Sequence, residues 1–150
     1  MYFVAGTQAG DRKQNKLFVF KASDLHKTLH DDDSDDSGNE EDFDDDPLIE
    51  SRFIKHDGCV NRVRVMPQKP NIVATWSDTK VVNIWDISEE LKSLDTPQRV
   101  PNTKPIKTFQ SHVDEGYALD WSPVTEGRFV APPFFFSFSL YDLANVSCSF

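Results

Sequence analysis

An internal repeat constrains the fold of this 150-residue chain more than any other feature of its sequence. Segment 56–67 (HDGCVNRVRVMP) aligns without a gap with segment 112–123 (HVDEGYALDWSP), so that a His and a Pro both recur after 56 residues. A short apolar stretch precedes each His, and a turn with Pro or Gly follows each segment. Repeats of fixed period are typical of solenoids and propellers, whose units bury their faces against their neighbours.

The unit around the first segment predicts short strands separated by turns, the last of them ending in Trp85-Asp86. This order of strands, with a His loop at the start and Trp-Asp at the end, is typical of a WD-repeat propeller blade. The usual period is about 40–45 residues, and a polar insertion at 88–104 accounts for the longer period here. The sequence therefore predicts an all-β fold, a partial WD-repeat β-propeller of about two incomplete blades.

The predicted organisation has six segments. They are a first partial blade at 1–30, a disordered acidic loop at 31–51, a WD blade at 52–87, a polar loop insertion at 88–104, a partial WD blade at 105–131 and an atypical C-terminal tail at 132–150. We expect a short strand at 52–54, a strand at 117–121, and helical turns at 23–30 and 89–94. Because both insertions precede the strand that leads to a His, we expect them to project from one rim.

The conspicuous residues of the two units are predicted to be structural. We expect His56 to hydrogen-bond Asp78 in the following tight turn, with Thr75 and Trp85 extending the polar chain, which stabilises a blade if every member is satisfied. The same structural role is expected for three further residues, Asp86, His112 and Trp121. Catalysis by either His is the alternative, and the repeat explains both positions better.

No motif in the chain indicates enzymatic chemistry. His112, Asp120 and Ser122 have the residue types of a hydrolytic triad, but triads are recognised by geometry. His26 and His30 precede acidic residues and could imitate a metal site, yet no third fixed ligand is evident. Cys59 and Cys148 have no metal-binding spacing, and no glycine-rich phosphate loop is present. We therefore expect no enzyme activity, no metal and no cofactor.

An acidic run at 31–46 (DDDSDDSGNEEDFDDD) predicts a binding function. Eleven of its residues are acidic, and since the chain carries −9 in total, the remainder carries +2. Such blocks repel themselves, stay disordered and commonly bind basic partners. Its candidate partner-binding residues are Asp31, Asp32, Asp33, Asp35, Asp36, Glu40, Glu41, Asp42, Asp44, Asp45 and Asp46. Ser34 and Ser37 suit an acidophilic kinase, and each phosphate would add about −1.5 to −2 charge; the alternative is that both are spacers.

Other partner classes are not expected. The N-terminus shows no signal peptide, and no run of about 18 apolar residues predicts a membrane-spanning helix. Arg62, Arg64, Lys69 and Lys80 make only a weak basic patch, whereas nucleic-acid binding needs clustered Lys and Arg. We expect neither membrane association nor direct nucleic-acid binding.

Four strings, in the right order with an acidic insertion in the right gap, carry a family resemblance. They are 4–9 (VAGTQA), the acidic run, 61–65 (NRVRV) and 115–123 (EGYALDWSP), with 104–112 (KPIKTFQSH) leading into the last. Together they cover roughly residues 2–131. On these strings the chain resembles the glutamate-rich WD-repeat proteins, a ribosome-assembly family related to the histone-binding WD-repeat proteins.

The resemblance implies a seven-bladed propeller in the nucleus and nucleolus that chaperones a basic ribosomal protein, or histones. It also implies an alternative: some plant members resemble substrate receptors that bind a cullin-ligase adaptor through a Trp-Asp-x-Arg motif. Here Trp85-Asp86-Ile87 is followed by Ser88, so the Arg is absent. A third alternative is a non-functional truncated isoform.

The chain departs from the family pattern in two places, and the second of them bears on truncation. The run contains nine Asp and two Glu, which preserves its charge. After Ala131 the sequence 132–140 (PPFFFSFSL) does not follow the repeat, because Pro132 replaces the equivalent of Trp76. We therefore expect the last 20 or so residues to be foreign to the propeller and the chain to be a truncated product.

Overall fold

The computed structural model describes residues 1–25, 47–96, 102–110, 112–132 and 140–144. Within them, three antiparallel sheets stack one on another. The first sheet contains β1 (Tyr2–Gly6), β2 (Lys16–Ser23) and β3 (Leu48–Lys55), in that order. The second contains β4 (Val60–Val65), β5 (Ile72–Ser77), β6 (Val82–Asp86) and β7 (Lys107–Phe109). The third contains β8 (Asp120–Trp121), β9 (Arg128–Val130) and β10 (Leu140–Asp142). Helix α1 (Ser88–Asp95) connects β6 towards β7.

The predicted all-β propeller architecture is confirmed, and the second sheet is a complete four-stranded blade. Sequence reasoning gave about two incomplete blades, whereas the described residues form three sheets. The difference arises because β7 pairs with β6, with Val82 opposite Phe109, and so closes the second sheet before the chain enters the third. Likewise β3 pairs with β2 and completes the outer edge of the first sheet.

Strand β3 corrects the predicted extent of the acidic loop. The loop was expected to reach residue 51, with a strand only at 52–54, but β3 begins at Leu48. Pairing with β2 continues along its whole length, from Lys16 opposite Lys55 to Ser23 opposite Leu48. Backbone hydrogen bonds to a neighbouring strand therefore order four residues that the sequence placed in a disordered loop. The helical turn expected at 23–30 begins on the last residue of β2, and residues 26–30 lie outside the described part of the chain.

Two other predicted elements have different bounds. The helical turn expected at 89–94 is confirmed as α1, one residue longer at each end. The strand expected at 117–121 is reduced to Asp120–Trp121, because the Leu119 amide donates to the Tyr117 carbonyl 3.2 Å away and the chain turns there. None of the helices that the structure describes is long and apolar enough to cross a membrane.

The core lies between the sheets in two clusters. Leu17, Val19 and Ile54 of the first sheet pack on Val73 and Trp85 of the second. The opposite face of the second sheet packs on the third through a larger cluster that includes Ile72, Ala74, Trp76, Val82, Ile84, Leu119, Trp121, Phe129 and Tyr141. All six residues of β5 are buried, because this strand is central in its sheet and its sheet is central in the stack.

Two glycines permit the close approach of neighbouring sheets. A Cβ at Gly6 would lie 2.3 Å from Val60 Cγ1, and a Cβ at Gly116 would lie 2.4 Å from the ring of Trp76. Atoms at such distances overlap, so both joints between sheets require a residue without a side chain. In the repeat alignment Gly116 stands 56 residues after Val60, so the two joints use different residues for the same purpose.

Candidate functional site

A buried polar chain links the His loop of the second sheet to its Trp-Asp strand. Trp85 Nε1 donates to Thr75 Oγ1 at 2.9 Å, and Thr75 Oγ1 lies 3.0 Å from His56 Nε2. His56 Nδ1 lies 3.0 Å from the Gly58 carbonyl oxygen. Since a carbonyl can only accept, Nδ1 carries the proton, Nε2 accepts from the Thr75 hydroxyl, and every member of the chain is satisfied.

The two repeat histidines are held neutral by their surroundings. Burial lowers the pKa of His56 below its ordinary value, against the opposing effect of the hydrogen bond to Gly58. Burial also lowers the pKa of His112. His56 is 3% exposed and His112 is 7% exposed, so neither ring is open to a substrate. Both rings are therefore enclosed by the protein, and the structural role expected for them stays a prediction.

Asp78 is part of this region, but it does not contact His56 as expected. Its Oδ1 accepts from the Cys59 amide at 2.9 Å, while its own amide donates to the Cys59 carbonyl at 3.2 Å. The reason is backbone geometry: His56 Nδ1 is already paired with the carbonyl of Gly58, a residue with a φ of +83° that turns the loop back on itself. Asp78 therefore stabilises the backbone of the loop at Cys59 and makes no hydrogen bond with the His56 ring.

The third sheet contains a second version of the chain that sequence reasoning missed. The Tyr141 hydroxyl lies 3.1 Å from His112 Nε2, and both residues are buried. Residue 131, 56 positions after Thr75, is Ala and has no hydroxyl. Tyr141 stands 56 positions after Trp85, and its phenol oxygen reaches the His directly. One Tyr thus replaces the Trp and the Thr together.

This arrangement overturns the expectation that the chain leaves the repeat after Ala131. Trp85 is opposite Val73 in the second sheet, and Tyr141 is opposite Phe129, the residue 56 positions later, in the third. Asp142 is likewise opposite Arg128, as Asp86 is opposite Ile72. Residues 140–144 therefore belong to the blade, whereas 133–139 and 145–150 lie outside the described residues. The signal was in the sequence: Tyr141-Asp142 follows Trp85-Asp86 at the same spacing that separates the two histidines.

Asp86 and Ser88 join the end of β6 to the start of α1. Asp86 Oδ1 accepts from the Ser88 amide at 3.0 Å and from Asn71 Nδ2 at 3.1 Å, and it also accepts from the Ser88 hydroxyl. Burial by itself raises the pKa of Asp86, but the hydrogen bonds from Ser88 and Asn71 outweigh it and hold the pKa below its ordinary value. Ser88, which stands where the ligase-docking motif has Arg, is thus part of a local cap.

Trp121 connects the third sheet to the second. Its Nε1 donates to the Arg64 carbonyl at 2.9 Å, and its ring meets Phe129 edge-on with the centroids 5.2 Å apart. The side chain is 5% exposed. Trp121 thus lies where the second and third sheets meet, and its expected structural role stays a prediction.

Helix α1 contacts the two strands, β2 and β3, that flank the acidic run. All eleven acidic candidates, with Ser34 and Ser37, lie outside the described residues, but the strands on either side of the run are described. Lys21 Nζ on β2 lies 2.8 Å from Asp95 Oδ1, and Arg52 on β3 donates to the hydroxyl and the carbonyl of Ser93 at 3.0 and 2.6 Å. Tyr2 also donates to Asp95, and the bonds from Lys21 and Tyr2 lower the pKa of Asp95. The insertion at 88–104 therefore packs, through α1, on the two strands that flank the acidic run.

The described residues with the types of a hydrolytic triad each have a partner outside that triad. Asp120 lies 3.6 Å from Arg64, Ser122 caps the amides of the following turn, and His112 is paired with Tyr141. In the part of the chain that the structure describes, no group of three His, Cys, Asp or Glu side chains could hold a metal ion. His26 and His30 are outside that part.

Stacked antiparallel sheets, one of them a four-stranded blade, with a buried His-to-aromatic chain define a segment of a WD-repeat β-propeller. Comparisons with known proteins agree, although no protein-family model matches the chain. The chain is 50% identical over 141 residues to glutamate-rich WD repeat-containing protein 1 of Dictyostelium discoideum, covering 85% of this chain and 29% of that protein. It is 42% identical over 131 residues to ribosome assembly protein rrb1 of Schizosaccharomyces pombe, covering 82% and 27%. It is also 43% identical over 75 residues to histone acetyltransferase type B subunit 2 of Aspergillus fumigatus, covering 50% and 16%.

The chain therefore belongs to the glutamate-rich WD-repeat proteins, the family that its sequence resembles. It spans 29% of the length of the Dictyostelium discoideum relative and 27% of the length of the Schizosaccharomyces pombe relative.

Proposed function

We propose that this chain is part of a WD-repeat scaffold for ribosome assembly that captures a basic protein through its acidic run. The observation that carries the proposal is the similarity to a ribosome assembly protein along 82% of the chain. The role is one of protein interaction and not of catalysis. Its expected site is the nucleus, and within it the nucleolus, where ribosomes are assembled.

The geometry of the two strands that flank the acidic run supports this function. The run lies between β2 and β3, whose last pair is Ser23 opposite Leu48, so the two flanking strands are paired up to those residues. Among the described residues, two cations on the flanking strands have partners on α1, since Lys21 binds Asp95 and Arg52 binds Ser93. We therefore expect the carboxylates of the run to bind a partner outside the sheet rather than these two side chains.

The client is a protein surface rich in Lys and Arg, either a basic ribosomal protein or a histone. A segment with eleven carboxylates neutralises such a surface and keeps it from binding RNA or aggregating. Histones enter the proposal because one relative is a subunit of a histone acetyltransferase. Phosphorylation of Ser34 and Ser37 would add about −1.5 to −2 charge each and strengthen the capture.

The test replaces the acidic run and leaves both strands intact. Residues 31–46 are exchanged for a Gly/Ser linker of equal length, and in a second variant all eleven acids become Asn or Gln. Association rates with purified core histones and with a purified basic large-subunit ribosomal protein are measured by stopped flow over a series of salt concentrations. We expect both variants to associate about tenfold more slowly at low salt, with a flatter salt dependence, because electrostatic steering is lost.

A matched control removes acidic charge elsewhere on the surface. Asp114→Asn and Glu126→Gln change exposed carboxylates on the third sheet's side of the molecule and should leave the rates unchanged. Unaltered rates and salt slopes in the linker variant would show that the run does not capture the client.

A further inference from the structure

Two Ser/Thr-Pro pairs occur in the sequence, Thr96-Pro97 and Ser122-Pro123. Such a pair is the minimal substrate of a proline-directed kinase, because Pro has no backbone N–H and fits a cleft that offers that position no acceptor. Thr96 also has a cation three positions later, Arg99, whereas Ser122 has Thr125 there. The string Thr-Pro-Gln-Arg is therefore the pattern that kinases of the cyclin-dependent class prefer, and the pair at Ser122 has only half of it.

Ser122 is held in a tight turn. Its Oγ accepts from the amides of Val124 and Thr125 at 3.4 and 3.0 Å, and its own amide donates to the Arg128 carbonyl at 2.7 Å. The residue is half-buried. A kinase needs a free hydroxyl on an extended segment, so the folded turn at Ser122 is a poor substrate.

Thr96 has the conformation that a kinase requires. It is the C-cap residue of α1, with a φ of −135° and a ψ of 110°, which is the extended backbone favoured before Pro. Its amide donates to the Lys92 carbonyl at 2.9 Å and closes the last turn of the helix, while its side chain is exposed. The Thr96 hydroxyl is therefore open to an enzyme at the surface.

The charges beside Thr96 decide what a phosphate would do there. The preceding residue, Asp95, accepts from the Tyr2 hydroxyl at 2.6 Å and from Lys21 Nζ at 2.8 Å, and these bonds join the end of α1 to the first sheet. A phosphate adds about −1.5 to −2 charge next to Asp95 and at the negative end of the helix dipole. It therefore repels Asp95 and competes with it for Lys21.

Two further cations near the end of α1 already have partners. Lys92 Nζ lies 2.9 Å from Glu89 Oε1, and Arg52 donates to the hydroxyl and the carbonyl of Ser93. Attraction of either cation to a phosphate on Thr96 draws it away from a bond that stabilises the helix or joins it to β3. The phosphate thus opposes the present position of the last turn of α1.

We propose that Thr96 is a phosphorylation site for a proline-directed kinase of the cyclin-dependent class, and that the phosphate releases the last turn of α1 from the first sheet. The Thr96 hydroxyl oxygen bonds to the γ-phosphorus of ATP, the bond from that phosphorus to the β–γ bridging oxygen breaks, ADP leaves, and the hydroxyl proton passes to the kinase. A helix of eight residues is marginal in isolation, so local opening of its last turn also extends the residues before Thr96 for the kinase. The site is outside the acidic run and does not depend on the capture of a basic client.

The site is tested on the full chain with a purified cyclin-dependent kinase and ATP, and the phosphate is located by mass spectrometry of peptides. We expect about one phosphate per chain, on Thr96, with none in Thr96→Val and labelling restored in Thr96→Ser. Ser122→Ala removes the other Ser/Thr-Pro pair and is the matched control, which should be labelled like the native chain. Arg99→Gln should lower the kcat/KM of the kinase about tenfold, because a charge-assisted contact is lost.

Three results would overturn the assignment of the site. They are a native chain that stays unlabelled, labelling at Ser122 in place of Thr96, and an Arg99→Gln variant labelled as fast as the native chain. Replacement of residues 31–46 by the Gly/Ser linker should leave labelling of Thr96 unchanged, which separates this result from any failure of client capture.

Amide hydrogen exchange measures the effect of the phosphate on α1. We expect the amides of residues 94–96 to exchange about tenfold faster in the phosphorylated chain, while β5 stays protected, because bonds to the first sheet are lost. Unchanged or slower exchange at 94–96 would overturn the release of the helix end.

The rate of labelling tests the same link from the other side. Arg52→Ala removes the bonds from β3 to Ser93, so the open form of the helix end becomes more populated and the kinase should label it about threefold faster. Arg12→Ala, which breaks an exposed ion pair with Asp57, is the control and should be labelled at the native rate. Equal rates for Arg52→Ala and the native chain would contradict the link between opening and phosphorylation.

Discussion

At the scale of the residue, Thr75 is the centre of the second sheet's polar chain. Its hydroxyl accepts from Trp85 and donates to His56, so a single oxygen satisfies two buried groups that have no other partner among the described residues. In the third sheet the same connection is made by the phenol of Tyr141. The second sheet therefore links its repeat His to an aromatic residue through the Thr75 hydroxyl, whereas the third sheet links them directly through the Tyr141 hydroxyl.

Replacement of Thr75 tests this role with little change in volume. Thr75→Val keeps the branched shape but leaves the indole N–H and the imidazole Nε2 buried and unpaired, each at a cost of about 1–3 kcal/mol. We expect the free energy of unfolding in urea to fall by about 3 kcal/mol. Thr75→Ser, which keeps the hydroxyl, is the matched control and should lose much less. A loss in Thr75→Val no larger than that in Thr75→Ser would show that the hydroxyl does not stabilise the blade.

Residue types and spacing predicted which side chains form the chain, but not all of its contacts. The partnership of His56, Thr75 and Trp85 followed from the repeat. The contact between His56 and Asp78 did not form, because the positive φ of Gly58 brings a carbonyl to the ring first. Tyr141 was missed because a Tyr does not match a Trp by residue type, even though its spacing is that of the repeat.

At the scale of the element, α1 depends on residues that are distant in the sequence. It has eight residues, which is too short to be stable in isolation. Its N-cap position, Ile87, makes no side-chain hydrogen bond. The helix is instead held by burial of Leu94 and by the bonds that Arg52 and Lys21 make with Ser93 and Asp95.

Removal of the Arg52 guanidinium should therefore loosen α1. Arg52→Ala removes two hydrogen bonds to Ser93, and we expect a loss of about 1–2 kcal/mol. Amide hydrogen exchange should become faster in α1 while β5 stays protected. The control is Arg12→Ala, which breaks an ion pair with Asp57 whose side chains are both more than 60% exposed and which should change little. Exchange in α1 that is unchanged in Arg52→Ala would show that the helix is held by its apolar face alone.

The elements themselves were largely predictable, because strand alternation and turn residues are local signals. The alternation of buried Leu17 and Val19 with Phe18 and Phe20 identifies β2. Strand lengths were less predictable, since they depend on the partner: β3 extends to Leu48 because β2 continues beside it. Polar Glu50, Ser51 and Arg52 give no apolar pattern that would have revealed this.

At the scale of the whole molecule, stability depends on how closely the sheets approach. Gly116 lies under the indole of Trp76, at the joint between the second and third sheets. Gly116→Ala would place a Cβ 2.4 Å from the ring, and overpacking of this kind costs about 1–3 kcal/mol. We expect a lower melting temperature by differential scanning calorimetry.

Gly10→Ala is the control for this prediction, because nothing lies within 4 Å of a Cβ at that position. It should be neutral within about 0.5 kcal/mol. If Gly116→Ala melts like Gly10→Ala, the third sheet is not held tightly against Trp76.

The sequence predicted the propeller class of the whole molecule but gave no account of its end faces. A face is buried or exposed according to the number of sheets stacked on it, and that number is not a local property of any strand. Phe3 and Phe20 have the same residue chemistry as Phe129 and Tyr141, the pair that the second sheet covers. Only the stacking order shows that the second sheet covers one pair and that none of the described sheets covers the other.

The placement of the aromatic residues also gives the two joints separate optical signals. The chain has three tryptophans; Trp85 lies in the cluster between the first and second sheets, and Trp76 and Trp121 lie in the cluster between the second and third. Fluorescence from a variant that keeps Trp85 alone reports the opening of one joint, and a variant that keeps Trp76 and Trp121 reports the other. The order in which the stack comes apart can therefore be read by emission wavelength, without any added dye.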